Sequence, residues 1–161
     1  MIKTARHLGF AAVILASALS FATQPAAAQA KDPIIGTWVL NFGKSDFKAI
    51  APPQSKTLIF VAGDNGFTEK SKILNANGAT DQWEYTVKYD GSEASMPPES
   101  PLNSVSLKRV DANTIVRSGT MRKKVVETVT YKLSNGGKVL TVTTVGKDDA
   151  ANDTVQVYDK Q

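Results

Sequence analysis

The chain has 161 residues, with 19 basic and 15 acidic side chains, one histidine, no cysteine and a formal net charge of +4. So small and evenly matched a charge makes no nucleic-acid footprint, and without cysteine neither a disulfide framework nor an acylated cysteine anchor can form. The one histidine, His7, falls in the first thirty residues, so removal of that stretch would also close off Ser-His-Asp and Cys-His mechanisms and the usual zinc site.

Those thirty residues read as an export signal. Lys3 and Arg6 form a charged start, Leu8 to Ala22 an apolar run, and Ala26-Ala27-Ala28-Gln29-Ala30 a small-residue cleavage region. The expected cut follows Ala30, with a cut after Ala28 as the near alternative. The apolar run is shorter than the ~20 residues that span a bilayer, and it contains Ser17 and Ser20. Residues 31–161 are then expected to form one domain, periplasmic or secreted, monomeric and without a stable membrane anchor. The leader takes two of the 19 basic residues and none of the 15 acidic ones, leaving +2.

From Ile34 onward the hydrophobic period is two, the period of a strand with one wet face. It predicts strands over Gly36 to Asn41, Lys56 to Ala62, Phe67 to Leu74, Gln82 to Tyr89, Ser104 to Arg109, Thr114 to Arg122, Lys124 to Leu133, Val139 to Val145 and Thr154 to Tyr158. Asp64-Asn65-Gly66, Asn75-Ala76-Asn77-Gly78, Asp90-Gly91, Asp111-Ala112-Asn113 and Asn135-Gly136-Gly137 punctuate them with residues that tolerate positive φ. Their spacing of about ten residues favours successive antiparallel hairpins. One short helix is expected at Ser45 to Ala49, capped by Ser45 and ended by Pro52-Pro53. Gly91 to Pro101 carries three prolines and reads as a loop, with Met96 exposed on it. A series of half-buried strands must hide its edges, which leaves an up-and-down barrel or a sandwich.

Two stretches select between these. "Ile35-Gly36-Thr37-Trp38-Val39-Leu40" followed by "Lys44-Ser45-Asp46-Phe47" resembles the start of the calycins, the lipocalins and especially the fatty-acid-binding proteins. "Val155-Gln156-Val157-Tyr158-Asp159-Lys160" is similar to their last strand, where Arg-x-Tyr precedes an acidic residue and Lys. The chain from residue 31 onward also resembles small secreted bacterial lipocalin-like proteins, through Tyr89-Asp90-Gly91, Val105-Ser106-Leu107-Lys108-Arg109-Val110-Asp111 and Gly137-Lys138-Val139-Leu140-Thr141-Val142-Thr143. The resemblance implies an all-β, antiparallel up-and-down barrel of about eight to ten strands with one short helix after the first.

It also implies roles. Gly36 and Trp38 would close the barrel, the indole plugging its base beneath a basic side chain from the last strands. No arginine follows Arg122, so Lys160 would take that place; a plain core role for Trp38 in a sandwich is the alternative. In the fatty-acid binders the arginine of Arg-x-Tyr pairs with a ligand carboxylate. Here Gln156 stands at that position with Tyr158 retained, and the retinol-type members use glutamine in this role, which suits a neutral head group. A strand register offset by one would instead turn Gln156 outward.

Other residues have two readings each. Arg117 alternates with Ile115, Gly119 and Met121 and needs an anion if it points inward, either Glu127 or a ligand. Glu69 and Glu127 fall in register with apolar neighbours and would either pair with cations or act as acid and base. Gly146 to Asp153 is an oxygen-rich hairpin without EF-hand spacing, a solvated turn by default and otherwise a weak calcium site. Arg122-Lys123-Lys124 is a basic turn, too few charges for stable membrane binding. The expected function is capture of a small hydrophobic or amphipathic ligand by Gln156, Tyr158, Arg117, Trp83, Tyr85 and Phe60, with no catalytic residues, no metal and no cofactor. The alternative is an envelope interaction protein whose filled barrel acts through its loops.

Overall fold

A computed structural model describes residues 32–148, 150 and 153–161; the expected export signal lies outside these residues. Ten antiparallel strands form one sheet: β1 (Gly36–Leu40), β2 (Ser55–Gly63), β3 (Gly66–Leu74), β4 (Thr80–Lys88), β5 (Asp90–Ser95), β6 (Ser104–Arg109), β7 (Thr114–Met121), β8 (Lys124–Ser134), β9 (Val139–Gly146) and β10 (Thr154–Lys160). Consecutive strands pair as hairpins except β4 and β5, and β1 pairs with both β2 and β10. The sheet therefore curls into a nearly closed barrel, its two free edges, β4 and β5, lying side by side and joined through Tyr89.

All nine strands expected from periodicity are present, and three expectations fail. Asp90–Ser95 is a strand, not a loop. Its sequence shows no apolar alternation, so the ladder to β6, bulged between Asp90 and Glu93, is what holds it extended. Met96, expected to be exposed, packs partly buried against the core. Ser45 to Ala49 is not a helix: Asp46 exchanges backbone hydrogen bonds with Val155 of β10 (2.7 and 2.8 Å), and Lys48 takes φ 52°. Both features remove the backbone a helical turn would use. A three-residue 3₁₀ turn, Phe42–Lys44, stands there instead, and Ser45 Oγ ties it to β10 by accepting from the Val157 N–H at 2.9 Å.

One end of the barrel is closed. Trp38 is fully buried, its indole N–H donates to the Ile34 carbonyl at 2.7 Å, and the Lys160 ammonium lies 4.9 Å from its ring centroid. The substitution of lysine for the expected arginine thus retains the cation over the plug. Gly36 is required at this point: its φ is +139°, and a Cβ would sit 2.9 Å from Lys160 Cε. Asp32 anchors the segment across this end by accepting from Tyr89 Oη (2.5 Å) and from Arg109, whose guanidinium lies over the Tyr89 ring. Phe60, Phe67 and Tyr131 pack edge to face in the core above the plug, with Leu107, Ile115 and Leu140 around them.

Truncating the plug removes the largest buried side chain, so Trp38→Ala should lower the unfolding free energy by about 3–5 kcal/mol. Gly36→Ala should cost about 1–3 kcal/mol through its positive φ alone. Urea midpoints at unchanged m-value read both.

Candidate functional site

The strand period that buries the aromatic core also turns polar residues inward toward the opposite end. Lys56 shares its face with Leu58 and Phe60, Glu69 and Ser71 share theirs with Phe67 and Ile73, and Gln156 shares its face with Tyr158. Arg117 faces inward from β7, and Glu127 from the start of β8. Glu127 lies opposite Gly119, where a Cβ would come within 2.7 Å of the glutamate Cγ, so the absent side chain makes room for the carboxylate.

These groups form two linked networks. Glu69 Oε2 accepts from Tyr85 Oη (2.6 Å) and Tyr131 Oη (3.1 Å), while Arg117 donates to Glu127 Oε1 (2.5 Å) and to Tyr85 Oη (3.3 Å). Gln156 Oε1 accepts from both Lys56 Nζ (3.0 Å) and Tyr158 Oη (2.6 Å). Burial pushes the Tyr85, Tyr131 and Tyr158 phenols above their ordinary range, with the charge of Glu69 acting in the same direction. Burial disfavours the Arg117 cation, yet the surrounding tyrosines, Glu69 and Glu127 outweigh it and leave the guanidinium held more firmly protonated. Lys56 goes the other way. Burial pulls its ammonium down to about 8, against the opposing pull of Glu69 and with help from Arg117.

Two cavities meet at Lys56. The deeper one, about 80 Å³, is lined by Lys56, Glu69, Ser71, Trp83, Arg117, Tyr131, Gln156 and Tyr158 among others. The outer one, about 330 Å³, opens at the barrel mouth between Phe47, Ile50, Ala51, Pro53 and Ile73, and shares Lys56, Thr144 and Gln156 with the first. Two buried donors aimed at the interior have no partner among the described residues: Ser71 Oγ and Arg117 Nε.

Of the six residues read from sequence as ligand-binding, Gln156, Tyr158, Arg117 and Trp83 line the deep cavity. The register of β10 opposite β9 pairs Gln156 with the inward Val142, which resolves its orientation. Arg117 takes Glu127 as its internal anion. Tyr85 stands behind the cavity as the hydrogen-bond partner of Glu69 and Arg117, and Phe60 is packed into the aromatic core with only 1% exposure. Lys56, Ser71 and Tyr131 were not singled out from the sequence. The signal for Lys56 was its position in step with Leu58 and Phe60, but a lysine at a strand start is ordinarily solvated. In the acidic hairpin, residues 149, 151 and 152 lie outside the described residues; Asp153 accepts from the Gly146 N–H at 2.9 Å. No group of three or more His, Cys, Asp or Glu side chains that would hold a metal occurs among the described residues.

This ten-stranded, nearly closed antiparallel barrel is a calycin fold of the fatty-acid-binding type. Similar solved structures include a Schistosoma mansoni fatty acid binding protein in complex with arachidonic acid, at TM-score 0.57 and 11% identity over 80% of this chain and 96% of that one. As-p18, an extracellular fatty acid binding protein, aligns at TM-score 0.55 and 15% identity over 81% and 97% of the two chains. The zebrafish ileal bile acid-binding protein complexed with cholic acid gives 0.52 and 13% over 80% and 99%. At such identities the likeness is one of fold. The chain matches no family model and no curated protein.

Because Lys56 is depressed in the folded state, the unfolded chain binds more protons between about pH 8 and its ordinary 10.5. Stability should therefore rise with pH through this window. The tyrosines, raised in the folded state, should reverse the trend above about pH 10, where unfolded phenols ionise first. Urea midpoints across pH 7 to 11 should show this maximum, and Lys56→Met should flatten its rising limb. Removing one partner of the Arg117–Glu127 pair strands the other: Arg117→Met should cost about 3 kcal/mol, whereas Arg117→Met combined with Glu127→Leu should recover most of it by the same assay.

Proposed function

We propose that the protein is an exported barrel that binds one small amphiphile, with the polar head in the deep cavity and the apolar part in the outer one. The observation that carries this reading is that the two cavities share Lys56, Thr144 and Gln156, so a small polar compartment is continuous with a mouth that offers Phe47, Ile50, Ala51, Pro53 and Ile73 along one part of its lining and Asn75, Glu127 and Thr154 along another. The outer volume falls within the range of about 300–1,000 Å³ usual for small-molecule sites. The inner one takes two or three heavy atoms, since a water molecule occupies about 30 Å³ of liquid. The fatty-acid and bile-acid complexes among the similar structures are barrels around small amphiphiles, in keeping with this assignment.

Charge selects the head group. Arg117 is already paired with Glu127, and Lys56, its charge weakened by burial, lies near Glu69, so a further anion would be left unbalanced in a poorly solvated site. A neutral acceptor, such as a carbonyl, ester or hydroxyl oxygen, satisfies Ser71 Oγ and Arg117 Nε without adding charge. Affinity would come from apolar surface removed from water at about 25 cal/mol per Å². The ligand is released unchanged in this reading, and the leader places the monomeric barrel in the periplasm or outside the cell.

The neutral probe N-phenyl-1-naphthylamine tests this. One equivalent should bind with enhanced fluorescence, and Ile50→Glu at the mouth should weaken it about tenfold by placing a charge against the apolar part. Ile59→Glu, on the outer face of β2, should leave it unchanged. Absence of stoichiometric uptake would favour the filled barrel acting through its loops, which the tightly packed Phe60, Phe67 and Tyr131 also accommodate.

A further inference from the structure

The amine at the junction of the two cavities is unusual in its company. Lys56 Nζ is drawn inward to the Gln156 amide oxygen, and among the described residues it makes no ion pair, although Glu69 of β3, Arg117 of β7 and Glu127 of β8 all act on it. A lysine needed only for solubility would extend to water from the strand start. A lysine needed only to neutralise a carboxylate would touch one. This one instead points at the place where the head of a bound amphiphile must lie, alongside two buried donors with no acceptor, Ser71 Oγ and Arg117 Nε.

Resting on the amphiphile-binding reading, we propose that Lys56 captures apolar aldehydes covalently and reversibly, its amine condensing with the aldehyde carbonyl to form an imine. The aldehyde tail occupies the outer cavity between Phe47, Ile50 and Ile73, and the carbonyl enters the inner one. The unprotonated Lys56 nitrogen attacks the carbonyl carbon, and the C=O π pair moves to oxygen. That oxygen accepts from Ser71 Oγ–H and Arg117 Nε–H while charge develops on it. One proton passes from nitrogen to oxygen to give a carbinolamine. The C–O bond then breaks as the nitrogen lone pair forms C=N, the remaining nitrogen proton passes to the departing oxygen, and water leaves through the mouth. Aldehyde and amine give imine and water, with no oxidation, no reduction and no further reactant; hydrolysis reverses it.

The reaction needs the neutral amine. With Lys56 drawn down to about 8, roughly half of it is neutral at pH 8, against well under one part in a hundred for an ordinary lysine near 10.4. The groups that set this balance are those already named: burial and Arg117 favour the neutral form, and Glu69 and Glu127 the charged one. The tyrosines beside it remain protonated and add no negative charge.

Octanal is the probe for the test. The protein is incubated with it at pH 8, treated with sodium cyanoborohydride to fix any imine as an N-octyl amine, digested and mapped by mass spectrometry. We expect N-octylation at Lys56 to exceed that at the exposed Lys44 at least tenfold, to fall when octan-1-ol competes, and to vanish from that peptide in Lys56→Gln. Even labelling across the lysines, or an unlabelled Lys56, would overturn the proposal. Calorimetric titration with octan-1-ol separates the causes. Octanol binding without Lys56 labelling overturns imine formation and leaves amphiphile binding standing, whereas loss of both overturns the two together.

Discussion

The β1–β10 seam is the constraint on which this structure depends. Ten strands of period-two sequence each offer a dry face and two edges, and an open sheet of that length would leave both terminal strands exposed to pairing with other chains. Pairing Trp38 with Lys160, and Leu40 with Tyr158, joins the two ends of the chain's strand series and leaves as free edges only β4 and β5, which lie side by side. The seam is also where the plug is assembled. Trp38 comes from β1, its cation from β10, and the carbonyl that accepts its indole N–H from Ile34 just before β1. Closure and plugging are thus achieved by the same few residues, and the missing side chain at Gly36 leaves room for Lys160 over the ring.

Enclosure changes the chemistry of whatever faces inward. On an open sheet Lys56, Glu69, Arg117 and Glu127 would be solvated and nearly independent. Inside the barrel they share a small volume of low polarity, in which an unpaired charge is expensive and a paired one is strongly fixed. The result is a gradient along the barrel axis. Aromatic and aliphatic side chains fill the plugged end, a hydrogen-bonded charge cluster occupies the middle, and a mouth to which the β1–β2 connection contributes the apolar Phe47, Ile50, Ala51 and Pro53 stands above it. The small inner cavity lies within this cluster, and two donors of its lining residues, Ser71 Oγ and Arg117 Nε, have no partner among the described residues.

The amount legible in advance differs between backbone and site. Periodicity located nine strands because each buries alternate residues, and it missed β5 because Asp90-Gly91-Ser92-Glu93-Ala94-Ser95 buries almost nothing and is extended only through its ladder to β6. It placed a helix at Ser45 to Ala49 because the local signals were a capping serine and a following Pro-Pro. Those signals carry no information about Val155, 109 residues later, whose backbone claims Asp46. Among the site residues, Gln156, Tyr158, Arg117 and Trp83 were found through register and resemblance, and Glu127 was named as a partner for Arg117. Lys56 carries no such signal, since a lysine beginning a strand looks the same whether its ammonium reaches water or a glutamine two strands away across β1.

The sequence by itself determined the all-β class, the hairpin order and the inward faces of most strands, because each depends on neighbours two to ten residues away, and the resemblance added Gly36 and Trp38 as the seal of one end. Only the tertiary structure decided that Gln156 meets Lys56 across 100 residues, that Glu69 is held by two tyrosines from other strands, and that a small polar cavity opens into a wider one at the mouth. These depend on closure of the barrel, which brings distant strands face to face at a separation that no local pattern encodes.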